Sequence, residues 1–136
     1  MMHITGLYAA LGALLIFVLA LRVMRLRHKH RVGIGTGGEE SLARAIRAHA
    51  NAIEYLPIAL LLLLILELNQ IRPWIVHAFG IVLIVGRVLH AIGLSRHAGT
   101  SFGRFAGIAL TMLVILLMAL LLLWQYAVLP GMFEEP

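Results

Sequence analysis

The sequence predicts an all-α fold, an integral membrane four-helix bundle. Three observations carry that prediction. The chain has 136 residues, of which 62% are hydrophobic and only 12% charged, more apolar surface than one soluble domain of this length can hide. Four segments each supply the roughly 20 mostly apolar residues that cross the hydrocarbon. None shows period-two alternation, and backbone groups in lipid must be paired within their own segment, so these are helices and not barrel strands. The length fits a single domain, residues 1–136. There is no cysteine, which excludes disulfides, a cysteine nucleophile and thiolate metal ligands.

The first span runs from Ile4 to Leu21, "ITGLYAALGALLIFVLAL". It has no basic stretch before it and no small-residue cleavage site after it, so it reads as a retained helix, not a signal peptide. The second span, Leu42 to Leu68, is long enough to project beyond the bilayer on one side. "NQIRP" is a tight connection that makes spans two and three an antiparallel hairpin, with Pro73 placed to start the next helix. The third span is Trp74 to Leu94 and the fourth Phe105 to Val128. The first loop, "RHKHRVGIGTGGEES", lacks the lysine and hydroxyl that follow a phosphate loop's glycines. It reads as a turn, with Ser41 in position to cap the second helix. Gly103 and Gly107 form a G-x-x-x-G that permits close helix approach in span four.

Basic residues orient the bundle. Arg22, Arg25, Arg27, Lys29, Arg31, Arg44 and Arg47 cluster around the first loop, and Arg96 and Arg104 flank the third. Arg72 lies at the opposite end. Loops one and three are therefore expected in the cytoplasm and both termini outside. The basic surplus needs no nucleic acid; it is positive-inside charge that meets membrane lipid headgroups. His28 and His30 stand at i, i+2 and point apart on a helix, so no metal site is expected there. His77 reads as an interfacial or packing residue near the outer end of span three.

The polar residues inside the spans are the functional candidates. Arg47, Asn51 and Glu54 stand at i, i+4 and i+7 and share a helix face at about 100° per residue. Arg44 lies near that face, and Pro57 follows Glu54 and is expected to bend the helix or open a carbonyl. Arg87 and His90 stand at i, i+3 in span three. An ionisable group in a membrane costs at least about 2.5 kcal/mol and faces the bundle interior or an aqueous cavity. One reading is that Glu54 and Arg87 neutralise each other and Asn51 is packing glue. The other is a cationic pocket. Arg25, Arg47, Arg87 and Arg104 outnumber the one embedded carboxylate, and arginine grips carboxylates in a bidentate fork.

"IRAHANAIEYLP", "GRVLH" and "MRLRHK" resemble segments of the MAPEG family, the membrane-associated proteins in eicosanoid and glutathione metabolism. The similarity covers essentially the whole chain, and the "RVGIGTGG" loop resembles the family's bacterial inner-membrane members. The resemblance implies a homotrimer with glutathione as bound thiol cosubstrate between subunits, open to the cytoplasmic side. It implies that Arg25, Arg47, Asn51, Glu54, Arg87 and His90 surround glutathione or support its site, and that Arg104 stabilises the thiolate catalytically. The implied activity is a transferase or peroxidase acting on a lipophilic small-molecule substrate; the alternative is a non-catalytic protein binding glutathione, lipid or another small anion. Leu94, Phe105 and Ile108 depart from the family's hydroxyl-bearing residues, and Ala50 from a further arginine, so prostaglandin synthesis is not expected.

Overall fold

A computed structural model describes residues 4–96, 99 and 101–128. Four helices follow one another: α1 (Ile4–His30), α2 (Glu40–Leu68), α3 (Pro73–Arg96) and α4 (Phe102–Val128). Each is long and apolar enough to cross a membrane. At 1.5 Å per residue a helix of this length exceeds the roughly 30 Å hydrocarbon core, so its ends project. α1 thus continues beyond Leu21 through the basic run to His30, because charge ends a hydrocarbon span without ending a helix. α2 runs unbroken through Pro57, whose missing N–H leaves the Ile53 carbonyl without its helical partner.

α2 and α3 each pack against all three other helices, and α3 packs most extensively against α4. The core along these contacts is Ala48, Ala52, Leu56, Ala59 and Leu63 from α2, Leu83 from α3, and Val114 and Met118 from α4. Leu14, Phe17, Ile81, Leu116, Leu120 and Leu123 point outward, an apolar surface that lipid covers without cost. Gly37 and Gly38 in the first loop adopt positive φ, which glycine tolerates. The N-cap of α2 is Glu39, without a side-chain cap bond. Ser41 therefore does not cap the helix as expected; it lies inside the first turn, with its hydroxyl 3.4 Å from His30 Nε2.

At the opposite end, the Glu67 carboxylate accepts hydrogen bonds from the backbone N–H groups of Ile4 and Thr5. One helix thereby satisfies the orphan donors at the start of another. His77 packs as expected: the Tyr8 hydroxyl is 2.8 Å from its Nδ1, and the rings meet edge to face.

The G-x-x-x-G expectation holds. A Cβ on Gly107 would run into the His90 backbone nitrogen and lie 2.5 Å from the Gly86 carbonyl oxygen. α3 and α4 thus touch backbone to backbone, and Gly103 extends the seam toward Leu89 and Gly93. Gly107→Ala is expected to destabilise the fold by about 1–3 kcal/mol in thermal unfolding of detergent-solubilised protein. Gly6→Ala, with nothing within 4 Å of the added carbon, is expected to cost nothing and to gain up to about 1 kcal/mol from helix propensity.

Candidate functional site

The close α3–α4 seam places the third helix's polar residues against α2 and the start of α4. A cleft of about 680 Å³ opens there. Its walls are Glu40, Arg44, Arg47, Asn51 and Tyr55 from α2, His90 and Leu94 from α3, and Arg104, Phe105 and Ile108 from α4, with Ser101 just before α4. α2 and α4 both begin at this end, so their positive dipole ends add to the three guanidiniums. The third and first loops lie at the same end. Anionic ligands are the chemistry this field favours.

Arg87 lies behind the cleft wall, 2% exposed. Its Nε donates to Thr111 Oγ1 at 3.0 Å. Its Nη1 donates to the Asn51 carbonyl at 3.2 Å and to Asn51 Oδ1 at 2.9 Å. The Tyr55 ring sits 5.3 Å from the guanidinium carbon, within cation–π range. Arg87 Nη2 is buried without a partner among the described residues. Because Asn51 Oδ1 accepts from Arg87, the amide orientation is settled, and Asn51 Nδ2 is left as a donor on a cleft-lining side chain.

His90 is buried and ties α3 to α4. Its Nδ1 lies 2.9 Å from the Arg104 carbonyl. A carbonyl only accepts, so Nδ1 carries the proton and Nε2 is the nitrogen free for other chemistry. Ser101 caps α4, accepting the Arg104 backbone N–H at 3.3 Å. His90 and Ser101 therefore both fix the backbone from which the Arg104 side chain projects.

The structure brings together Arg47, Asn51, His90 and Arg104 around one cleft, with Arg87 directly behind Asn51. It leaves Arg25 and Glu54 outside the cleft lining. Glu54 is not paired with Arg87; its carboxylate lies 3.9 Å from Arg47, and both side chains are largely exposed. The reason is angular. Relative to Arg47, Asn51 and Tyr55 are rotated about 40° and 80° one way, and Glu54 about 20° the other. Arg25 is exposed on α1, which is not among the helices that wall the cleft. Sequence reading missed Glu40, Tyr55 and Ser101 as lining residues. The signals were present: Glu40, Arg44, Asn51 and Tyr55 recur at intervals of four, seven and four, and Ser101 precedes α4 as a capping serine. Leu94, Phe105 and Ile108 all line the cleft.

A long apolar four-helix chain with a cationic cleft at its basic end defines an integral membrane protein. Comparison with known proteins makes the class specific. Residues 5–124 match the MAPEG family. Over 121 residues the chain is 44% identical to the inner membrane protein YecN of Escherichia coli K12, covering 89% of this chain and 91% of that protein. The identity and coverage are the same for YecN of Escherichia coli O6:H1. The chain belongs to the MAPEG family and is an integral inner membrane protein.

Two variants test the buried cluster. Thr111→Val removes one acceptor from a buried guanidinium and is expected to cost about 1–3 kcal/mol. Arg87→Ala, which strands the Asn51 oxygen and opens a cavity against Tyr55, is expected to cost more, about 2–5 kcal/mol. Unfolding in mixed micelles reads both, and an unchanged Thr111→Val protein contradicts the assigned bond.

Proposed function

We propose that this chain is a glutathione-dependent membrane transferase or peroxidase acting on lipophilic electrophiles or hydroperoxides. The observation that carries the reading is the charge inventory of the cleft. Arg44, Arg47 and Arg104 face it against the single carboxylate of Glu40 among the described lining residues. Glutathione carries two carboxylates and one ammonium at neutral pH, a complementary set. Asn51 Nδ2, fixed by Arg87, adds a neutral donor.

In this reading Arg47 and Arg44 hold carboxylates, and Arg104 lowers the energy of the thiolate by proximity of positive charge. Tyr55 and Ser101 belong to the same lining. The thiolate sulfur attacks an electrophilic carbon, forming a C–S bond as the leaving group departs with its electron pair. With a hydroperoxide it attacks the distal oxygen and the O–O bond breaks. The alkoxide takes a proton to become the alcohol, and the sulfenic acid condenses with a second glutathione to give the disulfide and water. The apolar wall of Leu94, Phe105 and Ile108 suits a substrate arriving from the bilayer. The working unit is a homotrimer in which Arg25 and Glu54, exposed in the single chain, face the neighbouring subunit and complete the site. Loops one and three face the cytoplasm and both termini the periplasm.

Leu94, Phe105 and Ile108 also support a second reading. Where relatives in the family carry hydroxyls, these side chains offer no proton donor to the thiol, which favours a non-catalytic protein that binds glutathione, lipid or another small anion.

Isothermal titration of glutathione into detergent-purified protein is expected to show binding at millimolar concentration or below, and its absence contradicts both glutathione readings. Arg47→Ala is expected to weaken binding about tenfold, the loss of one charged hydrogen-bond partner. Conjugation of chlorodinitrobenzene or reduction of a lipid hydroperoxide separates the readings: turnover supports the enzyme, and binding without turnover supports the second.

A further inference from the structure

Where loop one meets α2, three side chains that do not line the cleft come together. His30 ends α1, and Glu39 and Ser41 flank the start of α2. His30 Nδ1 lies 3.4 Å from Glu39 Oε2, and His30 Nε2 lies 3.4 Å from Ser41 Oγ. A carboxylate only accepts, so Nδ1 carries the proton and Nε2 is left to accept from the hydroxyl. The order is hydroxyl, imidazole, carboxylate, and each ring nitrogen faces the partner that general-base activation of a serine requires. The loop is fastened by other bonds. Arg27 Nη1 donates to the Gly33 and Gly35 carbonyls at 3.1 Å each, and the Glu39 N–H donates to the Thr36 carbonyl at 3.0 Å. Ser41 sits in the first turn of α2, where N–H groups have no intrahelical acceptor and Glu39 makes no side-chain cap bond. Those donors, at the positive end of the helix dipole, suit an oxyanion.

We propose that Ser41, His30 and Glu39 form a hydrolytic acyl-transfer site for single-chain glycerophospholipid esters at the membrane surface. Ser41 Oγ attacks the ester carbonyl carbon as its proton passes to His30 Nε2. The C–O bond to the glycerol breaks, and the departing oxygen takes that proton. Water then attacks the acyl-serine and gives a proton to the same nitrogen. The fatty acid leaves, and Ser41 recovers the proton. Glu39 is a positioning residue that holds the ring and stabilises the imidazolium. Depth and charge select the substrate. Ser41 lies about 39 Å from Glu67 along α2 at 1.5 Å per residue. That exceeds the roughly 30 Å hydrocarbon and stays within the roughly 40–45 Å that includes the headgroups. With Glu67 at one interface, Ser41 falls among the headgroups of the other leaflet. Lys29 and Arg31, exposed on either side of His30, offer charge to a phosphate. A lipid held by one chain rises to this depth more easily than one held by two.

A fluorophosphonate probe tests the site in the full-length chain in detergent. Attack by serine displaces fluoride and leaves a covalent adduct that peptide mass spectrometry locates. The adduct is expected on Ser41 and not on Ser95 or Ser101, the other serines of the chain. His30→Ala is expected to slow labelling about 100-fold or more, the usual general-base contribution. Added imidazole is expected to restore part of the rate, a rescue that a merely structural histidine does not give. Glu39→Gln is expected to slow labelling less, with Glu39→Asp closer to wild type. Wild type is expected to release fatty acid from lysophosphatidylglycerol, and a folded Ser41→Ala protein is expected not to. The wild-type adduct decides the matter even where Ser41→Ala does not fold: its absence from Ser41 overturns the proposal. Labelling that His30→Ala leaves unaltered also overturns it. Labelling at Ser41 without release of fatty acid overturns the assignment of the substrate.

Discussion

The guanidinium of Arg87 lies within the bundle and has neutral partners: Thr111 on α4, Asn51 on α2, and the Tyr55 ring. A cation in this position is costly to desolvate, and the cost is tolerable only with several donors satisfied at once. That requirement constrains three helices together. α2 must present Asn51 and Tyr55, α4 must present Thr111, and α3 must lie close enough to reach both. The glycines at positions 86 and 107 permit the approach, and the Thr111 hydroxyl is itself tied to the Gly107 carbonyl at 2.8 Å. Close packing and polar satisfaction are thus one arrangement.

The cleft follows from the same constraint. Asn51 gives its oxygen to Arg87 and so keeps its nitrogen for the cleft. Tyr55 is held by its ring and keeps its hydroxyl. His90 gives its Nδ1 proton to the Arg104 carbonyl, leaving Nε2 for other chemistry. Each of these side chains is fixed on one side by the bundle and lines the cleft. Fixed groups of this kind are what preorganised binding requires: Asn51 and Tyr55 are held by Arg87 behind the cleft, and His90 by the backbone of Arg104. The guanidiniums of Arg44, Arg47 and Arg104 supply charge, while the cluster behind Asn51 supplies rigidity.

Much of this was legible in the sequence, because membranes simplify the grammar. Length and hydropathy gave four helices, Pro73 gave the start of α3, and the spacing of Gly103 and Gly107 gave a close approach to span four without naming α3 as the partner. Arg47, Asn51, His90 and Arg104 converge as their helical positions suggested. The pairing of Arg87 was not legible. An acid and a base at similar depth suggested a salt bridge, but Glu54 is turned away from the line that joins Arg87 to Asn51, and a rotation of tens of degrees decides the matter. Neutral partners such as Thr111 leave no charge signature, and a threonine in an apolar span reads as an ordinary packing residue. Glu40 was passed over because the sequence places it in the first loop, ahead of the span that begins at Leu42. Ser101 was passed over because its loop gave no periodic pattern.

The central claim is that a buried, neutrally partnered arginine holds Asn51 and Tyr55 in place so that a cationic cleft can receive an anionic thiol peptide. A density map of the protein in lipid nanodiscs with millimolar glutathione tests it most directly. The account predicts ligand density in contact with Asn51, Arg47 and Arg104, with Arg87 bonded to Asn51 and Thr111 and not touching the ligand. Ligand density lying directly against Arg87, or a cleft closed by the surrounding side chains with glutathione bound elsewhere, would contradict it.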